Sequence, residues 1–101
     1  MTKYRAVKTV VDGIEFASKK EAARYGQLKL LAKQNEIQNL ELQPKFPIFI
    51  NGKRVFEYRA DFAYFDGKRR VVEDVKGYKT QVYKLKAKAA EAYYNIQIME
   101  I

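Results

Sequence analysis

Short apolar runs broken by turn residues open the chain. AVKTVV and IEF flank Asp12-Gly13. Such a dipeptide supplies the positive-φ positions of a tight hairpin turn, so a short N-terminal hairpin is predicted. Ser18-Lys19-Lys20-Glu21 has the spacing of a helix capping box. Ala22, Tyr25, Leu28 and Leu31 or Ala32 then recur at helical spacing, which predicts a helix over about residues 18–34. Gly26 weakens it slightly. Leu40 and Leu42 suggest a short strand that ends at Pro44. PIFI, Asn51-Gly52 and the long run to Phe65 read as a hairpin, and Asp66-Gly67 turns the chain again into KRRVVEDVKG. Thr80 can cap a second helix over about residues 80–94, with an apolar stripe of Val82, Leu85, Ala89 and Ala92. IQIMEI is the last strand. After the first helix the order is a strand meander, a helix and a strand. That last strand can lie parallel to a meander strand through a right-handed crossover. The expected class is α/β: a mixed central sheet flanked by helices, preceded by a short hairpin.

At 101 residues the chain is the size of one domain, residues 1–101. So small a domain buries a modest core, and a second copy could help to stabilise it; a homodimer is one expectation. The chain is 48% hydrophobic and 14% aromatic, which argues against disorder. It has no Cys and no His. Disulfides, thiolate metal sites, Ser-His-Asp catalysis and the usual zinc hydrolase sites are thereby excluded. Hydrolysis would have to run on carboxylates, lysines, tyrosines and a hard metal such as Mg²⁺. No run reaches membrane-span length, and MTKYRAVKTVVDG lacks a signal-peptide core, so a cytoplasmic setting is expected. The net charge of +8 favours a polyanionic partner over a membrane surface.

The informative segment is EYRADFAYFDGKRRVVEDVKG, Glu57 to Gly77. With Asp66 and Gly67 as the two loop residues of a hairpin, Asp61 faces Val72, Arg59 faces Asp74 and Glu57 faces Lys76. Strand parity then puts Asp61, Asp74 and Lys76 on one face. Phe56, Tyr58, Ala60, Phe62, Val71 and Val75 take the other, as core. Asp61 and Asp74 become diagonal neighbours, roughly 7–8 Å apart by backbone, within reach of one shared cation. A three-residue loop or a bulge would reverse that parity. The competing reading is a solvated face in which Arg59–Asp74 and Glu57–Lys76 are weak cross-strand ion pairs.

Basic residues frame this segment. Lys79, Lys84, Lys86 and Lys88 continue an acid-free run from Lys76, and Lys19, Lys20, Arg24, Lys29 and Lys33 bias the first helix the same way. They read as phosphate contacts or as solvated helix faces. Tyr78 and Tyr83 can stack on bases or pack against the fold. Glu73 alternates onto the core side, where it sits at a strand end or turns into the site by a bulge. Gln43 and Thr80 suggest strand-end and capping roles.

Asp61 followed by Asp74-Val75-Lys76 resembles the D…(D/E)-x-K core of the PD-(D/E)XK nuclease superfamily, whose core is helix, three-strand meander, helix, strand. FASKKEAARYGQL, LQPKF, YRADFAYF, EDVKGYKT and YKLKAKAAEA resemble a phage and prophage family of unknown function placed in that superfamily and related to Holliday-junction resolvases. The resemblance implies a restriction-endonuclease-like core and metal-dependent cutting of DNA, with Mg²⁺ as cofactor and Mn²⁺ able to replace it. It implies that Asp61 and Asp74 are metal ligands, aided by the Val75 carbonyl, and that Lys76 is the catalytic lysine. Glu21 fits the helix glutamate that completes the metal site, and it also fits the third residue of a capping box. Position 60 is Ala where the motif's name has Pro. The expected activity is that of an endodeoxyribonuclease on branched or phage DNA. The alternatives are a basic nucleic-acid-binding module without chemistry, and an assembly protein that uses its basic patches on RNA or protein.

Overall fold

A computed structural model describes residues 7–75 and 79–101. The N-terminal hairpin pairs β1 (Thr9–Val11) with β2 (Ile14–Phe16). Asp12 and Gly13 have φ of 55° and 75°, the two left-handed positions that the Asp-Gly pair supplies. Helix α1 spans Lys19–Lys33, and the Ser18 side chain accepts from the Glu21 N–H at 3.1 Å. Ala22, Tyr25 and Leu28 are its buried apolar positions, as the helical spacing predicts. The Tyr25 hydroxyl donates to Asp12 at 2.9 Å and Lys29 pairs with the same carboxylate, which ties the hairpin to α1.

The central sheet is mixed. It orders β3 (Gln38–Leu42), β6 (Phe62–Asp66), β7 (Arg69–Asp74) and β8 (Ile98–Glu100), with β8 parallel to β7 and the other pairs antiparallel. The strand after the second helix thus runs parallel to a meander strand, as expected. The meander itself is interrupted. β4 (Lys45–Ile50) and β5 (Lys53–Arg59) pair with each other as a separate hairpin between β3 and β6. Its turn is Asn51-Gly52, with φ of 51° and 76°. Pro47 cannot donate to a ladder, which suits β4 to an edge.

The hairpin of β6 and β7 departs from the expected register. Phe62 faces Glu73 and Asp66 faces Arg69, so the loop is Gly67-Lys68 and not Asp66-Gly67. Gly67 alone takes a positive φ there, 66°, the pattern of a turn with glycine at its first central position. The shift is two residues, so the parity of Asp61 and Asp74 survives it. Extended by one pair, the register sets Asp61 opposite Asp74 rather than diagonal to it.

Both faces of the sheet are covered, so the expected division into one core face and one polar face is corrected. Phe62, Tyr64, Val71 and Val75 pack with Ala22, Tyr25 and Leu28 of α1. Ala63 and Val72 face the other way, where Tyr58, Ala60, Phe46 and Ile48 join Ala90 of α2 (Gln81–Tyr94). Tyr58 and Ala60 therefore do not share a core with Phe62 and Val75, because β5 has left the sheet. Thr80 caps α2, accepting from the Tyr83 N–H at 3.0 Å. The expected α2 stripe is also corrected: Val82 and Leu85 are 61% and 71% exposed. Ala90, with Tyr83 and Ala87, packs inward instead. Small and aromatic side chains at those positions fit over the β4–β5 hairpin, where Tyr94 meets the Phe46 ring at 5.3 Å and donates to the Pro47 carbonyl at 2.6 Å.

Candidate functional site

A cleft of about 650 Å³ opens where β7 ends, β6 begins, and both helices start. Ser18 and Glu21 reach it from the first turn of α1, Thr80, Val82, Tyr83 and Lys86 from α2, and Tyr58 and Arg59 from β5. Asp61, Val75, Gln43, Glu57 and Ala17 complete its lining. Two helix N-termini pointing at one cleft give it a positive bias that favours anions.

Asp61 sits on the bend between β5 and β6 and is buried. Its backbone N–H donates to the Glu73 carbonyl at 3.1 Å, and its Oδ2 accepts from the Val75 N–H at 2.7 Å. The carboxylate is thus fixed at the end of β7. Gln43 adopts a left-handed φ of 52°, and its N–H donates to the Asp61 carbonyl at 2.9 Å. Glu21 is 5% exposed. Among the described residues its side chain makes no hydrogen bond or ion pair, so the reciprocal half of the capping box is not formed.

Asp74 lies behind the cleft. It is fully buried and accepts from the Tyr58 hydroxyl. Tyr83 stands beside this pair, 6.2 Å from the Tyr58 ring, and donates to Glu100 at 3.3 Å. Burial first, and then the Asp74 carboxylate, hold the Tyr58 hydroxyl protonated well above the ordinary tyrosine range. Burial and the nearby charges of Asp74 and Glu100 push Tyr83 the same way. Of the ion pairs of the solvated-face reading, Arg59–Asp74 is not formed, since Arg59 faces Lys45 within the separate hairpin; Glu57 pairs with Arg54, and its other expected partner, Lys76, lies outside the described residues.

Glu73 points to the α1 side and takes no part in the cleft. Arg24 grips it with two bonds, Nε to Oε1 at 2.7 Å and Nη2 to Oε2 at 2.6 Å, and the Tyr64 hydroxyl also donates to it. Arg24, expected on phosphate, is therefore committed to Glu73. Lys79 is likewise paired with Glu100 at 2.6 Å. Lys19, Lys20, Lys84 and Lys88 are exposed and form no salt bridge among the described residues. Lys86 lies over the Phe56 ring at 5.9 Å and at the cleft rim. Lys76, the expected catalytic lysine, and Tyr78 lie outside the described residues.

The structure brings Glu21 and Asp61 to one cleft, with Asp74 next to Asp61 and held by Tyr58. Among the described residues no three acidic side chains form a metal-holding group. Carboxylate oxygens nonetheless suit a hard cation, and Mg²⁺ is commonly held by one or two carboxylates with water completing its shell. Sequence reasoning missed Tyr58, which parity on an unbroken strand had turned into plain core. It also missed Arg59 as a cleft cation.

The molecule is thus a small α/β domain with a cleft lined by the carboxylates Glu21, Glu57 and Asp61 and the cations Arg59 and Lys86. It belongs to the family described as "Protein of unknown function (DUF1064)", whose model matches residues 1–100. No curated protein and no solved structure matches the chain.

Proposed function

We propose that this protein is a metal-dependent endodeoxyribonuclease of the PD-(D/E)XK kind. The observation that carries the reading is the convergence of Glu21 and Asp61, forty residues apart, on one cleft rimmed by Arg59 and Lys86. The element order supports it: with the β4–β5 hairpin taken as an insertion, α1, β3, β6, β7, α2 and β8 run as a restriction-endonuclease-like core would.

In this reading Asp61 and Glu21 would hold a Mg²⁺ ion, with Asp74 as the third carboxylate; such an ion would acidify a water and offset the charge that builds on the phosphate. Water adds to phosphorus as one P–O ester bond breaks, and the departing oxygen takes up a proton. Lys76, by resemblance, stabilises the phosphate charge or orients the attacking water. Arg59 and Lys86 hold the backbone at the cleft, while Lys19, Lys20, Lys84 and Lys88 add phosphate contacts farther out.

A second reading is a basic nucleic-acid-binding module without chemistry. The bond from Tyr58 to Asp74, and the lack of a three-carboxylate group among the described residues, favour it. Plasmid nicking with Mg²⁺, Mn²⁺ or EDTA separates the two. The nuclease reading expects metal-dependent nicking that folded Asp61→Ala and Asp74→Ala chains lose. DNA retention without nicking under any metal would leave the binding module standing.

A further inference from the structure

The chain passes twice between the central sheet and the hairpin of β4 and β5, and the two passages are clipped together. The Gln43 N–H donates to the Asp61 carbonyl at 2.9 Å, and the Ala60 N–H donates to the Pro44 carbonyl at 3.1 Å. Within this clip Gln43 has a φ of 52°, in the left-handed region. The other non-glycine residues found in that region are Asp12, Asn35, Asn39, Asn51 and Asn95. All are Asp or Asn, whose short polar side chains tolerate it. Gln43 is the exception among the described residues. A longer side chain gains nothing locally from this conformation and is strained by it.

The two bonds explain the backbone; they do not explain glutamine. Glycine or asparagine would take the same turn with less strain. The Gln43 side chain is exposed, lines the cleft, and makes no hydrogen bond among the described residues. Two cations stand nearby. Arg59 lines the same cleft and is the register partner of Lys45, so both side chains leave one face of the hairpin. Among the described residues neither forms a salt bridge. Like charges set directly opposite repel, and an anion received between them relieves the repulsion. A phosphate is such an anion; it offers only acceptors, which the cations answer. A carboxamide offers an acceptor and two donors together. That matches an edge which both donates and accepts, as a nucleobase edge does.

We propose that Gln43 is a base-contacting residue: its carboxamide meets a nucleobase edge at the cleft while Arg59 and Lys45 hold the adjoining phosphate. This rests on DNA as the ligand of the cleft, which the nuclease and the binding module share, and it uses no metal. Strain at a single exposed side chain persists where the surrounding structure holds it and the ligand needs it. Here the clip supplies the first condition, and the opening of the Gln43 side chain onto the cleft supplies the second.

The test is fluorescence anisotropy of a labelled four-way DNA junction, in EDTA and across a salt series, with the full chain as wild type, Gln43→Gly, Gln43→Glu and Arg59→Gln. Thermal melting of each chain accompanies it. Gln43→Gly should melt no lower than wild type, because glycine takes the left-handed φ without strain. It should bind at least about threefold more weakly, the effect of losing a hydrogen bond or two. Its salt slope should match that of wild type, because a base contact releases no counterion. Gln43→Glu should lose at least as much affinity, since it removes both N–H donors. Arg59→Gln should instead reduce the salt slope by about one. Wild-type affinity in Gln43→Gly overturns the contact, and so does a reduced salt slope there, which would mark a phosphate contact. A Gln43→Gly chain that melts below wild type also overturns it, since the glutamine then supports the fold. Weaker binding by Gln43→Gly in a protein that never nicks with Mg²⁺ supports the contact and overturns the nuclease reading alone. Absence of DNA binding by wild type overturns the contact and the DNA reading together.

Discussion

Removing Arg24 should be among the most damaging single changes on the surface of α1. Glu73 is fully buried on the α1 side of the sheet, between Phe62 and Tyr64 on β6 and the helix. Its charge is met by the Arg24 guanidinium through two short bonds and by the Tyr64 hydroxyl. The Arg24 side chain is 22% exposed, so the pair is mostly shielded from solvent. Deleting one partner of a buried pair strands the other and costs about 3–5 kcal/mol. Residual exposure of Arg24 puts Arg24→Ala near the lower end, about 3 kcal/mol. At about 4–8 °C per kcal/mol for a domain of this size, the melting midpoint should fall by at least roughly 12 °C. The double variant Arg24→Met/Glu73→Gln should recover most of that loss, because it removes both charges and keeps an acceptor for Tyr64. Urea and thermal unfolding of wild type, Arg24→Met, Glu73→Gln and the double variant, followed by circular dichroism, give the cycle. Glu21 lies one turn before Arg24 on the same helix, so the clamp also fixes where α1 delivers its cleft carboxylate. A loss below about 1 kcal/mol for Arg24→Ala, with no recovery in the double variant, would mean that solvent reaches Glu73 and that this account of α1 docking is wrong.

Three further predictions follow from the same geometry. Burial, and then Glu73, push the Tyr64 hydroxyl up to about 12 from an ordinary 10.0, so the folded chain holds this proton after the unfolded chain has released it. The stability it lends is full below pH 10.0 and is lost as pH rises through about 12; phenolate absorbance should show a late-titrating class of tyrosines that Tyr64→Phe reduces. Wild type should gain roughly 2.7 kcal/mol at a Mn²⁺ concentration about 100 times its dissociation constant, whereas Asp74→Ala should respond little; a wild-type melting curve indifferent to millimolar metal refutes the site. DNA affinity should fall steeply with salt, and Lys84→Glu/Lys86→Glu should weaken binding across all sequences and flatten that dependence; an unchanged salt slope would show that α2 does not face the phosphates.

What the chain alone determines here is what depends on neighbours in sequence. The caps Ser18 and Thr80, the Asp12-Gly13 and Asn51-Gly52 turns, and the helical spacing of Ala22, Tyr25 and Leu28 are local, because backbone sterics and hydrogen bonds within a few residues settle them. The shared parity of Asp61 and Asp74 is nearly local too, and it survived a loop displaced by one residue at each strand because the register moved by two. Three outcomes required the tertiary structure. The hairpin of β4 and β5 left the sheet, so Tyr58 came to Asp74 from outside instead of lying on an opposite face. Helix α2 carries two faces that could pack, Val82–Leu85 and Tyr83–Ala87–Ala90, and only the shape of the β4–β5 hairpin beneath it chose the second. Arg24 and Glu73 found each other across 49 residues, and no spacing rule could have paired them. Periodicity says which residues share a face; it does not say which other surface that face will meet, since burial is not directional and many partners satisfy one pattern.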